Sequence, residues 1–314
     1  DDGHRVYWVE RLQGAPVAYE WPQRTVSGSK PTGRGAILHF AIPPRVAEAW
    51  RRLARTEHAT LFHALFGVFH FWLQRLGRTD DTVVLTPLAA RAEHHLQSAV
   101  GCFLNMVPVR LQRSAFGRGR AADVVRAARD AFLEDISHAT LPFDEIVASV
   151  GQSASSRLQP LANVTFVLLD EGRLTSRLAG VAVETIDVHT ETARFDMTMS
   201  LQGTGGSGGL YGTVEYAIDV LEESVVRRMV DWFQVLLTAV ADDVDVGLHS
   251  IALLTDAEYH RVVGEFNETS RDPGGAATLH DRFAAQARQT PHAVALVCEG
   301  HEVTYAALDA ASDR

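Results

Sequence analysis

The sequence predicts a mixed α/β protein, a central sheet with flanking helices. Three observations carry this. Apolar residues recur at helical spacing in long stretches, as in Leu61, Leu65, Val68, Trp72 and Leu76. Other segments alternate with period two, as in Phe195, Met197, Met199 and Leu201 against Asp196, Thr198 and Ser200. The two kinds of segment interleave without strict β-α-β alternation, which points to mixed layers.

In chain order, residues 4–13 read as a short helix and residues 14–35, rich in Gly, Pro, Ser and Thr, as a loop. Ala36–Ile42 reads as a strand. Val46, Trp50, Leu53 and Ala54 mark an amphipathic helix. The next helix carries Phe66, Phe69 and Leu73 beside its main apolar series, a face broad enough to be covered on several sides. Thr60 is placed to cap it and Gly77 to stop it. Val83–Leu88 and Phe103–Leu111 read as strands, with the polar stretch Arg91–Ser98 as a loop between them.

Ala121–His138 is helical, with Val125, Phe132 and Ile136 on one face; Pro142 suits the first position of the helix that follows, ending near Gly151. Val164–Leu169 is the apolar run of a buried strand. The alternating segment near 195–201 and the strand Leu210–Ile218 form a hairpin across a glycine-rich turn. Val226, Met229, Val230, Phe233, Leu237 and Val240 mark a long helix. Asp242–Gly275 then changes character and ends as a linker by composition, and a new helix–strand pattern begins at Thr278.

The 314 residues are 46% hydrophobic and 22% charged, ample for a packed core. The net charge of −10 disfavours a polyanion-binding surface, so no nucleic-acid partner is expected. No apolar run approaches the roughly 18 residues of a membrane span. Two cysteines at unrelated positions make neither a disulfide framework nor a zinc site and suit a reducing, cytoplasmic setting.

Three patterns suggest chemistry that their context denies. Gly203-Thr-Gly205-Gly-Ser-Gly208 fits a dinucleotide pattern, but a strand follows it instead of the helix N-terminus that would face a pyrophosphate. His94-His95 sits in a polar stretch and reads as solvated loop. His58, His63 and His70 lie on or beside one helix with no carboxylate at ligand spacing, so they read as surface or partly buried histidines, and no metal site is expected.

Several further segments carry a resemblance. Val100-Gly101-Cys-Phe103-Leu-Asn105-Met-Val-Pro-Val-Arg110 resembles the Gly-x-Phe-x-Asn…Arg motif of condensation domains in non-ribosomal peptide synthetases. His138-Ala-Thr-Leu-Pro142-Phe143-Asp resembles the family's His-Gln-Asp-x-Pro-Phe-Glu segment, with Ala139-Thr140 in place of Gln-Asp. Ser155-Ser-Arg157-Leu-Gln159-Pro160-Leu resembles its Ser-Arg-Asn-Pro-Leu motif. Arg194-Phe-Asp196 and Leu210–Leu221 are similar to its late hairpin, and Tyr7-Trp8 through Pro16 to the opening of its second lobe. From Leu279 through Thr304-Tyr305-Ala-Ala-Leu308 the chain is similar to the first segment of adenylation domains, where Thr-Tyr-x-x-Leu opens a helix.

The resemblance implies one lobe of the chloramphenicol-acetyltransferase-like condensation fold. It implies a C-terminal condensation lobe over residues 1–255, a linker over 256–277 and an incomplete adenylation start over 278–314. It implies amide formation between carrier-bound acyl groups, with Asn105, Arg110, Arg157 and Gln159 lining the substrate tunnel. Asn105 would position substrate and Arg110 would hold a carboxylate of the first lobe. Gly101, Phe103, Pro142, Phe143, Pro160 and Asp196 would be structural.

The general-base histidine belongs to a His-His-x-x-x-Asp-Gly motif of the first lobe, so no catalytic residue is expected here; His94-His95 is followed by Leu-Gln-Ser-Ala-Val. Expected partners are that missing lobe, donor and acceptor carrier proteins bearing phosphopantetheine, and a downstream adenylation domain. ATP and Mg would serve only the complete adenylation domain. A non-catalytic scaffold, an acyltransferase and an epimerisation domain are the alternative readings; the adenylation-like end disfavours the acyltransferase.

Overall fold

The computed structural model describes residues 2–22, 32–89, 100–151, 161–169, 188–203, 208–271 and 278–313. The chain divides into two compact units, Asp1–Thr255 and Asp256–Arg314.

The first unit is built on one six-stranded sheet: β1 (Gly35–Ile42), β2 (Asp81–Ala89), β3 (Leu104–Gln112), β4 (Val164–Leu169), β5 (Met197–Gly203) and β6 (Leu210–Ala217). The spatial order is β1-β6-β5-β4-β2-β3. β4 runs parallel to β2 and β5, and the other neighbours are antiparallel, so the sheet is mixed. Its helices are α1 (Asp2–Leu12), α2 (Pro44–Thr56), α3 (Leu61–Gly77), α4 (Ala121–Ser137), α5 (Phe143–Ser149) and α6 (Glu223–Asp242).

The period-two pattern sorts the sheet into two faces. Leu38, Val214, Met199 and Phe166 fall in one register row across β1, β6, β5 and β4, and all are buried. On this face Phe66 and Phe69 of α3 meet Phe166, and Phe69 and Trp72 also meet Phe233 of α6. Each such aromatic removed from water contributes about 1.5–3 kcal/mol. The opposite rows of β5 and β6 carry Thr198, Ser200, Thr213 and Glu215, all half-buried.

Several local expectations need correction. Gly77 is the last helical residue of α3, and the left-handed position falls on Arg78 (φ 49°). A Cβ at Gly77 would lie 2.8 Å from the Tyr19 hydroxyl, so glycine serves close approach there. Pro142 occupies the N-cap of α5, one residue before its first turn. Phe103 and Phe195 both precede their strands and are half-buried. His70 is fully buried, where α3 is covered on all sides; its Nδ1 lies 2.8 Å from the Thr82 hydroxyl, and burial drives its pKa down to about 3, so it is neutral.

In the second unit, helical turns from Asp256 to Asn267 precede α8 (Leu279–Gln289), the hairpin β7 (Val294–Cys298) and β8 (His301–Thr304), and α9 (Tyr305–Ser312); the first of those turns is α7 (Asp256–Tyr259). Glu299 (φ 49°) and Gly300 (φ 81°) supply the two positive-φ residues of a tight hairpin turn. No helix among the described residues is long and apolar enough to cross a membrane.

Candidate functional site

The motif residues converge where β3 meets α1 and the elbow between α4 and α5. Asn105 sits near the start of β3, and its side chain closes that elbow. Nδ2 donates to the carbonyls of Ala139 and Leu141, each at 2.9 Å, and Oδ1 accepts from the N–H groups of Phe143 and Met106, each at 3.0 Å. Two donor and two acceptor positions are thereby used, the full capacity of an amide. The two segments that looked like separate motifs are one joint. Asn105 therefore holds backbone, and no hydrogen-bonding group remains on it for substrate.

Arg110, near the other end of β3, does hold a carboxylate, but that of Asp81 on the adjacent strand. Nε lies 3.0 Å from both Asp81 oxygens, and Nη1 donates to the carbonyls of Arg11 and Gln13. Its side chain is 11% exposed, and all three guanidinium nitrogens have partners inside this unit. This corrects the expectation of a carboxylate from another lobe.

Between these anchors lies a polar clamp that sequence reading missed. Asp135 of α4 is fully buried; Arg11 of α1 approaches both its oxygens, at 2.9 and 3.3 Å, and the Tyr7 hydroxyl donates at 2.5 Å. Arg11 also donates to the Arg110 carbonyl at 2.6 Å. Burial pushes the Asp135 carboxyl up, against the pull of Arg11 and Tyr7. Burial and the same carboxylate hold the Tyr7 hydroxyl protonated, well above its usual range. The Tyr7 ring stacks on His138 at 3.8 Å, and His138 Nδ1 lies 2.9 Å from His4 Nδ1. The signal in the sequence was Tyr7 and Arg11, polar groups four apart on a helix that also buries Trp8 and Leu12.

Asp196 anchors another joint. Its Oδ2 accepts from Trp21 Nε1 at 3.1 Å and from Asn163 Nδ2 at 2.5 Å, while Asn163 brackets the backbone of Tyr19. This pins residues 19–21 at the starts of β4 and β5. A Cβ on Gly101 would come 3.2 Å from the Phe103 ring. Phe143 is half-buried, and the fully buried residue of α5 is Ile146. Arg157, Gln159, Pro160, His94 and His95 lie outside the described residues, as do residues 204–207 of the glycine-rich turn.

In the second unit Thr304 caps α9, accepting from the Ala307 N–H at 3.3 Å; Tyr305 opens the helix and its ring lies 5.9 Å from that of Phe283; Leu308 is half-buried. Among the described residues no group of three or more His, Cys, Asp or Glu could hold a metal ion.

A family model for the Condensation domain matches residues 2–263. A linear gramicidin synthase of Brevibacillus parabrevis is 29% identical over 310 residues, which is 98% of this chain and 4% of that protein. The chain thus spans a small fraction of that relative's length. A crystal structure of a four-domain nonribosomal peptide synthetase bound to AMP and glycine superposes with a TM-score of 0.77 at 20% identity, covering 98% of this chain and 24% of that one. The X-domain from teicoplanin biosynthesis superposes with a TM-score of 0.72 at 20% identity, covering 81% of this chain and 57% of that one. The mixed sheet and its flanking helices are therefore a fold shared with these proteins.

Proposed function

The chain belongs to the condensation-domain family, and from that premise we propose that it is the C-terminal lobe of one such domain, followed by a linker and the opening of an adenylation domain. The observation that carries this is the division of the sheet: one face is packed with aromatic side chains from the helices, and the other presents the half-buried polar residues Thr198, Ser200, Thr213 and Glu215 on β5 and β6. That is the shape of a half-site that needs a second lobe. The overlap with 57% of the X-domain chain supports a piece of lobe size. The alignment of 310 residues with a synthetase extends beyond the family model, which ends at residue 263, and supports the adenylation start.

In this reading the two lobes enclose a tunnel entered by two carrier proteins. The acceptor amine attacks the donor thioester carbon, the carbon–sulfur bond breaks, and the donor phosphopantetheine leaves as a thiol. A base must take the ammonium proton and dipoles must support the oxyanion. This lobe supplies one wall. Asn105, Arg110 and Asp135 set the geometry of that wall through the joints described above. The base comes from the other lobe, since this sequence has no His-His-x-x-x-Asp-Gly segment. ATP and Mg are used only by a complete adenylation domain.

Purified residues 1–314, mixed with loaded donor and acceptor carrier proteins, are expected to yield no dipeptide above background, while the complete condensation domain of the parent synthetase yields it. Clear turnover by residues 1–314 alone overturns the reading.

A further inference from the structure

We propose that a pocket between the C-terminal end of α3, the first half of α6 and residues 21–22 takes an apolar carboxylate, a small acid with an alkyl or aryl body. The proposal goes beyond the tunnel reading and does not rest on it. α3 and α6 cover the aromatic face of the sheet, whereas the tunnel reading uses the opposite face.

The sequence of α6 builds one side of the pocket. One apolar stripe, Val226, Val230, Phe233 and Leu237, is buried in the core. A second stripe, Val225, Arg228, Met229 and Trp232, is spaced three, four and seven residues from its start and lines the pocket instead. Trp232 is only half-buried there. The cavity measures about 370 Å³, within the roughly 300–1,000 Å³ usual for small-molecule sites.

The opposite wall is held in place by contacts already made. Trp21 is 7% exposed; its Nε1 donates to Asp196 at 3.1 Å, and its ring meets Tyr19 edge-on at 4.6 Å. Tyr19 in turn donates to the Leu73 carbonyl of α3 at 2.8 Å, in the space that Gly77 leaves for it. These contacts keep the Trp21 indole from collapsing into the cavity. Leu221 and Met229 line it as buried residues, and the flexible methionine can adapt to bodies of different shape.

Charge selects an acid. The described residues that line the pocket include two arginines, Arg78 and Arg228, and no carboxylate, in a chain with 39 acidic and 29 basic residues. The Arg78 guanidinium is exposed and has no hydrogen-bond or ion-pair partner among the described residues. Its backbone is a second, independent signal. At φ 49° and ψ 39°, Arg78 fills the left-handed C-cap position of α3, where glycine is favoured and arginine is strained. A strained residue kept at the lip of a cavity points to a use for its side chain. The acid's body would lie against Trp21, Met229 and Trp232, and its carboxylate would meet the guanidinium groups.

The test titrates octanoate and octanamide into residues 1–314 by calorimetry. Octanoate is expected to bind about tenfold more tightly than the amide, and added salt should weaken octanoate alone. Arg78→Gly is the deciding variant, because glycine suits the left-handed position. It should melt no lower than the unaltered chain, while the preference for the acid falls to about threefold or less. Arg78→Lys should keep most of the preference. Val225→Phe, which fills the cavity, should weaken both probes. No binding of octanoate, equal binding of the two probes, or an undiminished preference in Arg78→Gly overturns the proposal. So does a folded Val225→Phe chain that binds octanoate as before, because the acid then sits elsewhere.

Discussion

Helices α3 and α8 present nearly the same case in sequence: a threonine cap followed by apolar residues at helical spacing. Both form, and both caps are made, with Thr60 accepting from His63 N–H and Thr278 from Asp281 N–H, each at 3.3 Å. Their surroundings differ. In α3 every residue from His63 to Gln74 is buried, whereas α8 buries only Ala287, and Leu279 at its start is 87% exposed. Local signals decide that a helix exists; the elements packed against it decide what the helix is worth.

The largest effect should come from cutting that packing. Phe69→Ala removes a ring that contacts Trp72, Phe166 and Phe233 and is expected to cost about 3–5 kcal/mol in a denaturant melt of the first unit. Leu279→Ala should stay within about 0.5 kcal/mol. Similar losses for the two would erase the contrast.

Next in size is the buried clamp. Asp135→Ala leaves Arg11 charged and Tyr7 without its acceptor, and should cost about 3 kcal/mol. Removing the exposed partner in the Arg45–Asp242 pair should cost under about 1 kcal/mol. Paired thermal melts at matched salt decide it.

A pH titration sharpens the contrast further. His70 titrates near 3 when folded and near 6.5 when free, so between these values the unfolded chain binds the extra proton. Stability from this residue is complete above pH 6.5 and is lost as the pH falls toward 3, about 2 kcal/mol of it between pH 6.5 and 5. His70→Leu should flatten that slope in equilibrium melts. An unchanged slope would mean that the buried imidazole is not the group responsible.

The smallest effect belongs to the second unit. Thr304→Ala removes the α9 cap, worth about 1 kcal/mol, and should speed amide exchange across residues 305–312. The main melting transition of the first unit should not move. Slow exchange across residues 278–313 in the unaltered chain, equal to that of β4, would show the two units to be alike in stability.

Element identity was legible because periodicity is local: β4 falls where an apolar run placed it, and α3 and α6 where helical spacing did. Partners were not. Asp135 gives no hint that it meets Arg11, 124 residues away in the chain. A carboxylate in an otherwise ordinary amphipathic helix reads as surface until the opposite cation is placed. Asn105 was visible as a motif residue, but its role depends on which carbonyls face it, and those belong to a turn 34 and 36 residues downstream. Gly77 was read as a stop because glycine commonly ends helices, while the constraint came from Tyr19 packed against it.

The pairing of β1 with β6 has a consequence for how the chain is made. Gly35 finds its partner in Ala217, so within the six-stranded sheet the strand earliest in the chain pairs with the latest. At 5–20 residues per second, the intervening stretch of about 180 residues leaves the ribosome over roughly 10–35 s. Throughout that interval β1, with the apolar Leu38 and Ile42 on one side, is a strand without its neighbour and open to pairing with another chain. The pace of translation between Ile42 and Leu210 therefore sets how long an adhesive edge is on offer, and altering codons there is expected to change aggregation during synthesis without changing a single residue of the folded unit.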